Sequence, residues 1–187
     1  MNQLQFRPLP PLLICANLQR DEFDPVSPDR CEDVLDQCRL LLRHWRQRHW
    51  PVLHLKRIAR ATWFAPELAG SDWIDEFRPL PGELTFEHAL PSAFSSSRFA
   101  DYMRNVRPET SIIIGLSLDQ TILSSAVDGF HRGFRHHVVA DAVDSVRQPP
   151  ASRDVLVTVL GSYVSTVRTS GVITPGDRIT TAGDSRQ

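Results

Sequence analysis

The sequence predicts a three-layer α/β/α, Rossmann-like fold: a doubly wound, mainly parallel sheet of about six strands between helices. Three observations predict it. Short β-branched apolar runs alternate with amphipathic helical patterns along the chain, as in βαβ units. Two of the runs are continuously apolar, which suits strands covered on both faces. The 187 residues, 41% hydrophobic and 23% charged, are enough for one domain with its own core.

The first strand is Pro11-Leu-Leu-Ile-Cys-Ala-Asn17. Pro25, Ser27 and Pro28 break the chain after it, and Ser27 or Asp29 can cap the helix that follows. In that helix Val34, Leu35, Cys38, Leu41, Leu42 and Trp45 form one apolar stripe, with charged residues opposite. Arg39, Arg43, Arg46 and Arg48 belong to that solvated face. Pro51 to Lys56 reads as the second strand. An irregular stretch of about thirty residues follows, a length that usually marks a functional cap. It contains Trp63 and Trp73, which can line a pocket, line an oligomer seam or simply pack.

Leu84-Thr-Phe adds a short strand and Ser97 to Val106 a short helix. Thr110 to Gly115 is the clearest buried strand. The next helix places Ile122, Leu123, Ala126, Val127 and Phe130 on one face and stops at Gly133. Arg135 to Ala140 forms another strand. Ala151 to Leu160 forms a helix with the stripe Val155, Leu156, Val159 and Leu160, and Tyr163 to Val167 closes the sheet. One domain is expected over 1–187, with its core at about 11–170 and a frayed tail from Thr174.

A formal net charge of −1 supplies no basic field, so nucleic acid is not an expected partner. No apolar run is long enough for a membrane span or a signal peptide. The three cysteines, Cys15, Cys31 and Cys38, are odd in number and lack metal-type spacing, which fits reduced thiols in a soluble cytoplasmic protein. His136 and His137 are adjacent on a strand and must face opposite sides.

Ligands of open parallel sheets bind beyond the carboxyl ends of the strands. Three segments meet there: Asn17-Leu-Gln, Leu116 to Thr121, and His88 to Phe94. Leu12-Leu-Ile-Cys-Ala-Asn-Leu-Gln-Arg-Asp resembles the opening strand of the isochorismatase-like cysteine hydrolases, an apolar run followed by D-M-Q-N-D-F. Val52-Leu-His-Leu-Lys-Arg resembles that family's second strand. Pro81-Gly-Glu followed by His88-Ala-Leu-Pro-Ser-Ala-Phe94 resembles P-G-E … K-x-x-x-S-A-F. Ile113 through Phe134 resembles G-x-x-T-D-x-C-V-x-x-T-A-x-D-A-x-x-x-G-Y, and Val138-Val-Ala-Asp-Ala142 the V-V-x-D-A after it.

In that family an Asp is the general base, a Lys supports it, and a Cys at a helix N-terminus attacks a carbonyl. The resemblance places Asn17, His88 and Thr121 at those three catalytic positions. Asn17 has no basic carboxylate, His88 no fixed charge, and Thr121 no acidic thiol. The resemblance also implies a cis peptide between Leu116 and Ser117, and an oxyanion hole from the Ser117 and Thr121 amides. Asp119 keeps the family's Asp or acts as a helix N-cap. Phe23 and Trp63 complete the expected ligand-binding set with Leu116, Ser117 and Asp119.

Some family members bind a divalent metal after the second strand. Here His54 and Lys56 stand there without the acid or second histidine, so no metal and no cofactor is expected. His54 reads as a strand histidine hydrogen-bonded to its neighbours. Three readings of function stay open. One is a non-catalytic member that binds a small carboxylate or carbonyl ligand. Another is a hydrolase rebuilt on His88 as base, Thr121 or a water as nucleophile and Asp119 as orienter. The third is an interaction subunit. A homo-oligomer, dimer or larger, is expected by resemblance.

Overall fold

The computed structural model describes residues 9–22, 28–58, 72–145, 149 and 151–173, with 28–31 by backbone alone. Six strands form one parallel sheet: β1 (Leu12–Ala16), β2 (Val52–Arg57), β3 (Leu84–His88), β4 (Ser111–Gly115), β5 (His136–Val143) and β6 (Ser165–Val167). Their order is β3-β2-β1-β4-β5-β6. The chain winds outward from β1 to β3, then returns to the other side of β1 with β4. Asn17 and Leu116 leave the sheet side by side at that reversal, because Ala16 is in register with Gly115.

Alternation along the strands builds two cores. Leu12, Ile14 and Ala16 of β1 face one side with Ile113, against Phe99 and Met103 of α2 (Ser97–Val106) and Ala126 of α3 (Leu123–His131). Leu13 and Cys15 face the other side with Ile112 and Ile114. There they meet the full apolar stripe of α1 (Pro28–Gln47), from Val34 to Trp45. The Trp45 indole N–H, otherwise a stranded donor, reaches the Pro11 carbonyl at 2.9 Å. The expected caps Ser27 and Asp29, and the tail from Thr174, lie outside the residues whose side chains are described.

Several elements differ from the sequence expectation. β3 runs on to His88, because Glu87 and His88 find register partners in Lys56 and Arg57. β5 begins at His136 and extends to Val143, with a register irregularity where β4 passes from Ile113 to Gly115. In α4 (Ala151–Leu160) half of the expected stripe turns outward: Val155 is 63% exposed and Val159 43%, whereas Leu156 and Leu160 face inward as expected. The inward face is Leu156, Val157 and Leu160. Phe130 is also half-exposed, stacked edge-on against Tyr163 rather than buried. Five apolar residues in six positions leave the face of α4 undetermined until α3 and β6 dock on one side of it.

Trp73 settles as packing. It is buried, pairs across an antiparallel bridge with Gln19 and sets its ring edge-on to His54 at 5.6 Å. His136 is buried with Nδ1 2.6 Å from the Ser111 hydroxyl, and burial, with a smaller contribution from His137, lowers its pKa to about 4. No helix among the described residues is long and apolar enough to cross a membrane.

Candidate functional site at the carboxyl edge of the sheet

Three strand-end segments place the central side chains. Asn17 follows β1 with φ of 47°, a left-handed conformation that asparagine adopts more readily than most residues. His88 is the last residue of β3, two positions beyond buried Phe86, so both turn inward. Thr121 lies in a π-helical turn, Leu118–Ile122, that opens α3; the Ile122 N–H reaches back to the Ser117 carbonyl at 3.1 Å.

The three side chains form one buried chain of hydrogen bonds, with exposures of 0%, 3% and 1% for Asn17, His88 and Thr121. Asn17 is in the middle: its Nδ2 is 2.9 Å from Thr121 Oγ1 and its Oδ1 is 3.0 Å from His88 Nε2. His88 Nδ1 lies 2.8 Å from the Leu90 carbonyl oxygen. Burial lowers the His88 pKa, the Leu90 carbonyl opposes that shift, and the Arg57 charge adds to it. Burial and Arg57 thus favour the uncharged ring, although both ring nitrogens face oxygen atoms. Beneath Thr121, Ser125 and His136 is an apolar cavity of about 10 Å³, large enough for at most one water.

The expected ligand-binding residues divide into two groups. Leu116 is buried, donates its N–H to the Ala16 carbonyl at 2.8 Å, and joins Ser117 through a cis peptide bond. Ser117 and Asp119 are half-buried at the helix entrance. The Ser117 hydroxyl donates to Asp119 Oδ1, and Ser145 Oγ donates to the same oxygen at 2.6 Å. The Asp119 N–H returns a bond to Ser145 Oγ at 2.7 Å. Asp119 therefore ties the end of β4 to the end of β5 through hydroxyl groups, and it lies inside the turn, whose N-cap position is Ser117. It does not orient His88, whose two ring nitrogens meet Asn17 and Leu90. Phe23 and Trp63 lie outside the described residues.

Three residues whose pairing sequence reasoning missed brace this edge. The Gln19 amide mimics a neighbouring strand: it donates to the Arg57 carbonyl at 3.0 Å and accepts the Arg57 N–H at 2.7 Å. The Arg57 guanidinium pairs with buried Glu22 at 3.1 Å. No spacing or motif pairs residues 19, 22 and 57 in advance. His54 faces away from this site. Its Nε2–H donates to Glu83 at 2.8 Å on the α1 side, and it is fully buried there, so it offers no ligand to a metal at the strand ends. Among the described residues no group of three His, Cys, Asp or Glu side chains is placed to hold a metal ion.

Neither described cysteine belongs to the site. Burial raises the pKa of both Cys15 and Cys38, and Cys38 spends its S–H on the Ala142 carbonyl at 3.2 Å. Iodoacetamide should leave both unmodified in the folded protein and label them only after denaturation, read by peptide mass spectrometry. Fast native labelling of Cys15 or Cys38 would contradict this assignment.

Comparison with known proteins gives a consistent pattern. Residues 11–169 match the model of the isochorismatase domain. An isochorismatase from Pseudomonas putida superposes with a TM-score of 0.75 at 18% identity, over 90% of this chain and 94% of that one. N-carbamoylsarcosine amidase from Thermoplasma acidophilum gives 0.71 at 23%, over 90% and 100%. Pyrazinamidase from Pyrococcus horikoshii, solved with zinc, gives 0.70 at 14%, over 84% and 98%.

Proposed function

This chain belongs to the isochorismatase family, and from that premise we propose that it binds a small carboxylate or carbonyl ligand without turning it over. The observation that carries this reading is the buried Asn17 amide standing between His88 and Thr121. Asn17, His88 and Thr121 occupy the positions that the family resemblance assigns to Asp, Lys and Cys. An amide oxygen is not a useful base near neutral pH. A well-placed base contributes about 10²–10⁴-fold, and that contribution is missing here. The threonine hydroxyl is far less acidic than a thiol, so the nucleophile is weaker as well.

The rebuilt hydrolase fares worse against the geometry. His88 would have to take the Thr121 proton, yet Nε2 is bound to Asn17 and Nδ1 faces Leu90. Support for binding comes from the helix entrance. The Ser117 and Thr121 amides sit at the positive end of the turn that leads into α3, where an oxyanion or carbonyl oxygen is favoured. A cytoplasmic homo-oligomer belongs to the same reading. The exposed Val155, Val159, Phe130 and Tyr163 support a self-associating surface.

Amides are the substrates to test, because an N-carbamoylsarcosine amidase and a pyrazinamidase are among the similar structures. Wild type, Thr121→Ala and His88→Ala should all leave pyrazinamide, nicotinamide, N-carbamoylsarcosine and isochorismate at the buffer rate. Turnover by the wild type that both substitutions abolish would overturn the reading. The combined Asn17→Asp, His88→Lys and Thr121→Cys variant is the complementary arm: activity gained there shows that the remaining pocket still suits the family reaction.

A further inference from the structure

The hydrogen-bond chain of the site has a direction, and the donor and acceptor capacities of its members set it. The Leu90 carbonyl can only accept, so His88 Nδ1 carries a proton in every state of the ring. That leaves Nε2, 3.0 Å from one end of the Asn17 amide, while the other end is 2.9 Å from Thr121 Oγ1. When the ring is doubly protonated, Nε2–H needs an acceptor. Asn17 then turns its oxygen to His88 and its NH₂ to Thr121, which accepts. When the ring is neutral, Nε2 needs a donor. Asn17 then turns its NH₂ to His88 and its oxygen to Thr121, which must donate. The two ends of a primary amide are nearly the same size, so both arrangements fit the same heavy-atom positions. Because all three side chains are buried, mispairing an end would leave a desolvated polar group.

We propose that the Asn17 amide turns over when His88 gains its second proton, and that this switches the Thr121 hydroxyl from donating inward to donating toward a bound ligand. The groups facing His88 among the described residues are few. From β1 comes Asn17. From β2 comes Arg57, paired with Glu22 of the turn after β1. Leu90 follows β3 and offers its carbonyl to Nδ1. In the structure Asn17 sets Oδ1 on His88 and Nδ2 on Thr121, which is the outward arrangement. Burial and Arg57 both favour the neutral ring and with it the inward one, so raising the pH drives the reversal and acid restores the outward form. In acid the pocket floor gains a positive charge and a free hydroxyl donor together. An anionic ligand should therefore bind more tightly as His88 protonates, a consequence that rests on the ligand-binding reading above. The reversal itself does not.

Full-length protein labelled with ¹⁵N-histidine tests the reversal by long-range ¹H–¹⁵N NMR, with His88→Gln used to assign the resonance. At pH 7.5 His88 should be neutral, with Nδ1 protonated and Nε2 bare. On acidification, both nitrogens should become protonated while the protein is still folded, with a midpoint below the ordinary histidine value of about 6.5. An Nε2–H tautomer at pH 7.5, a doubly protonated ring at pH 7.5, or no protonation before unfolding would each overturn it. Asn17→Asp, whose carboxylate can only accept, should raise the His88 midpoint by about 1 unit or more; an unmoved midpoint also overturns the proposal. Difluoroacetate, ionised throughout, should bind the wild type roughly tenfold more tightly across the transition, and binding that stays flat across it would sink the switch. No difluoroacetate binding at any pH, with both histidine forms observed, sinks the ligand reading and leaves the reversal standing.

Discussion

Gly115→Ala should destabilise the protein by about 4 kcal/mol or more, lowering Tm by roughly 8–16 °C or leaving the protein insoluble. Gly115 ends β4 with φ of +108°, a conformation that costs a residue with a side chain about 1–3 kcal/mol on its own. The larger penalty is steric. A Cβ there would fall 2.1 Å from the Ala16 carbonyl oxygen, and the same oxygen accepts the Leu116 N–H at 2.8 Å. Backbone, unlike a flexible side-chain tip, cannot swing aside. β1 and β4 would have to separate at the two residues that lead into Asn17 and Leu116. Thermal unfolding of the purified variant checks the expectation; a Tm within 2 °C of wild type would show that the strands part without cost.

Glu83→Ala should cost about 2–3 kcal/mol, below the usual figure for a fully buried pair because the carboxylate retains some solvent contact. Its side chain is 12% exposed and gathers four donors. Arg46 contributes Nε at 2.8 Å and a second nitrogen at 2.9 Å, His54 Nε2–H a third bond at 2.8 Å, and the Leu80 N–H a fourth at 2.9 Å. Burial pushes the carboxyl upward, but these bonds outweigh it and hold the pKa at about 2, against 4.5 for the free group. The sign follows from linkage: a depressed carboxyl stabilises the fold above 4.5, and that contribution is lost as pH falls through about 2. Glu83→Gln keeps the shape and removes the titration. Urea unfolding should therefore show a gap between wild type and Glu83→Gln that is full at pH 6 and nearly closed by pH 2. An equal gap at both pH values would remove Glu83 as the acid-sensitive group.

The helix α1 was legible because its six apolar residues fit a single helical face, and charged residues exclude the alternatives. In α4 the same logic had no purchase. Val155 and Val159 make as good a stripe as Leu156 and Leu160, and only the docking of α3 and β6 separates them. For the site, Asn17, His88 and Thr121 were named by resemblance to family segments, and the structure brings them into contact. What the residues alone could not supply was their order, with Asn17 between the other two. The bonds made by Glu83, Gln19 and Glu22 were invisible for a simpler reason. A charged or amide side chain on a connecting segment reads as solvated until the strand and helix opposite it are placed.

The members of the buried chain are far apart in sequence: Asn17 and His88 are 71 residues apart, and Asn17 and Thr121 are 104. β1 is flanked by β2 on one side and β4 on the other, so the chain closes only after both long loops have been drawn in. Contacts of such range form late and slowly, since loop entropy is lost before they return anything. No fragment that stops short of Thr121 can possess the pocket, and a nascent chain acquires it only once β4 has docked. A ligand seated there would grip the finished molecule alone, slowing its opening and leaving its rate of assembly untouched.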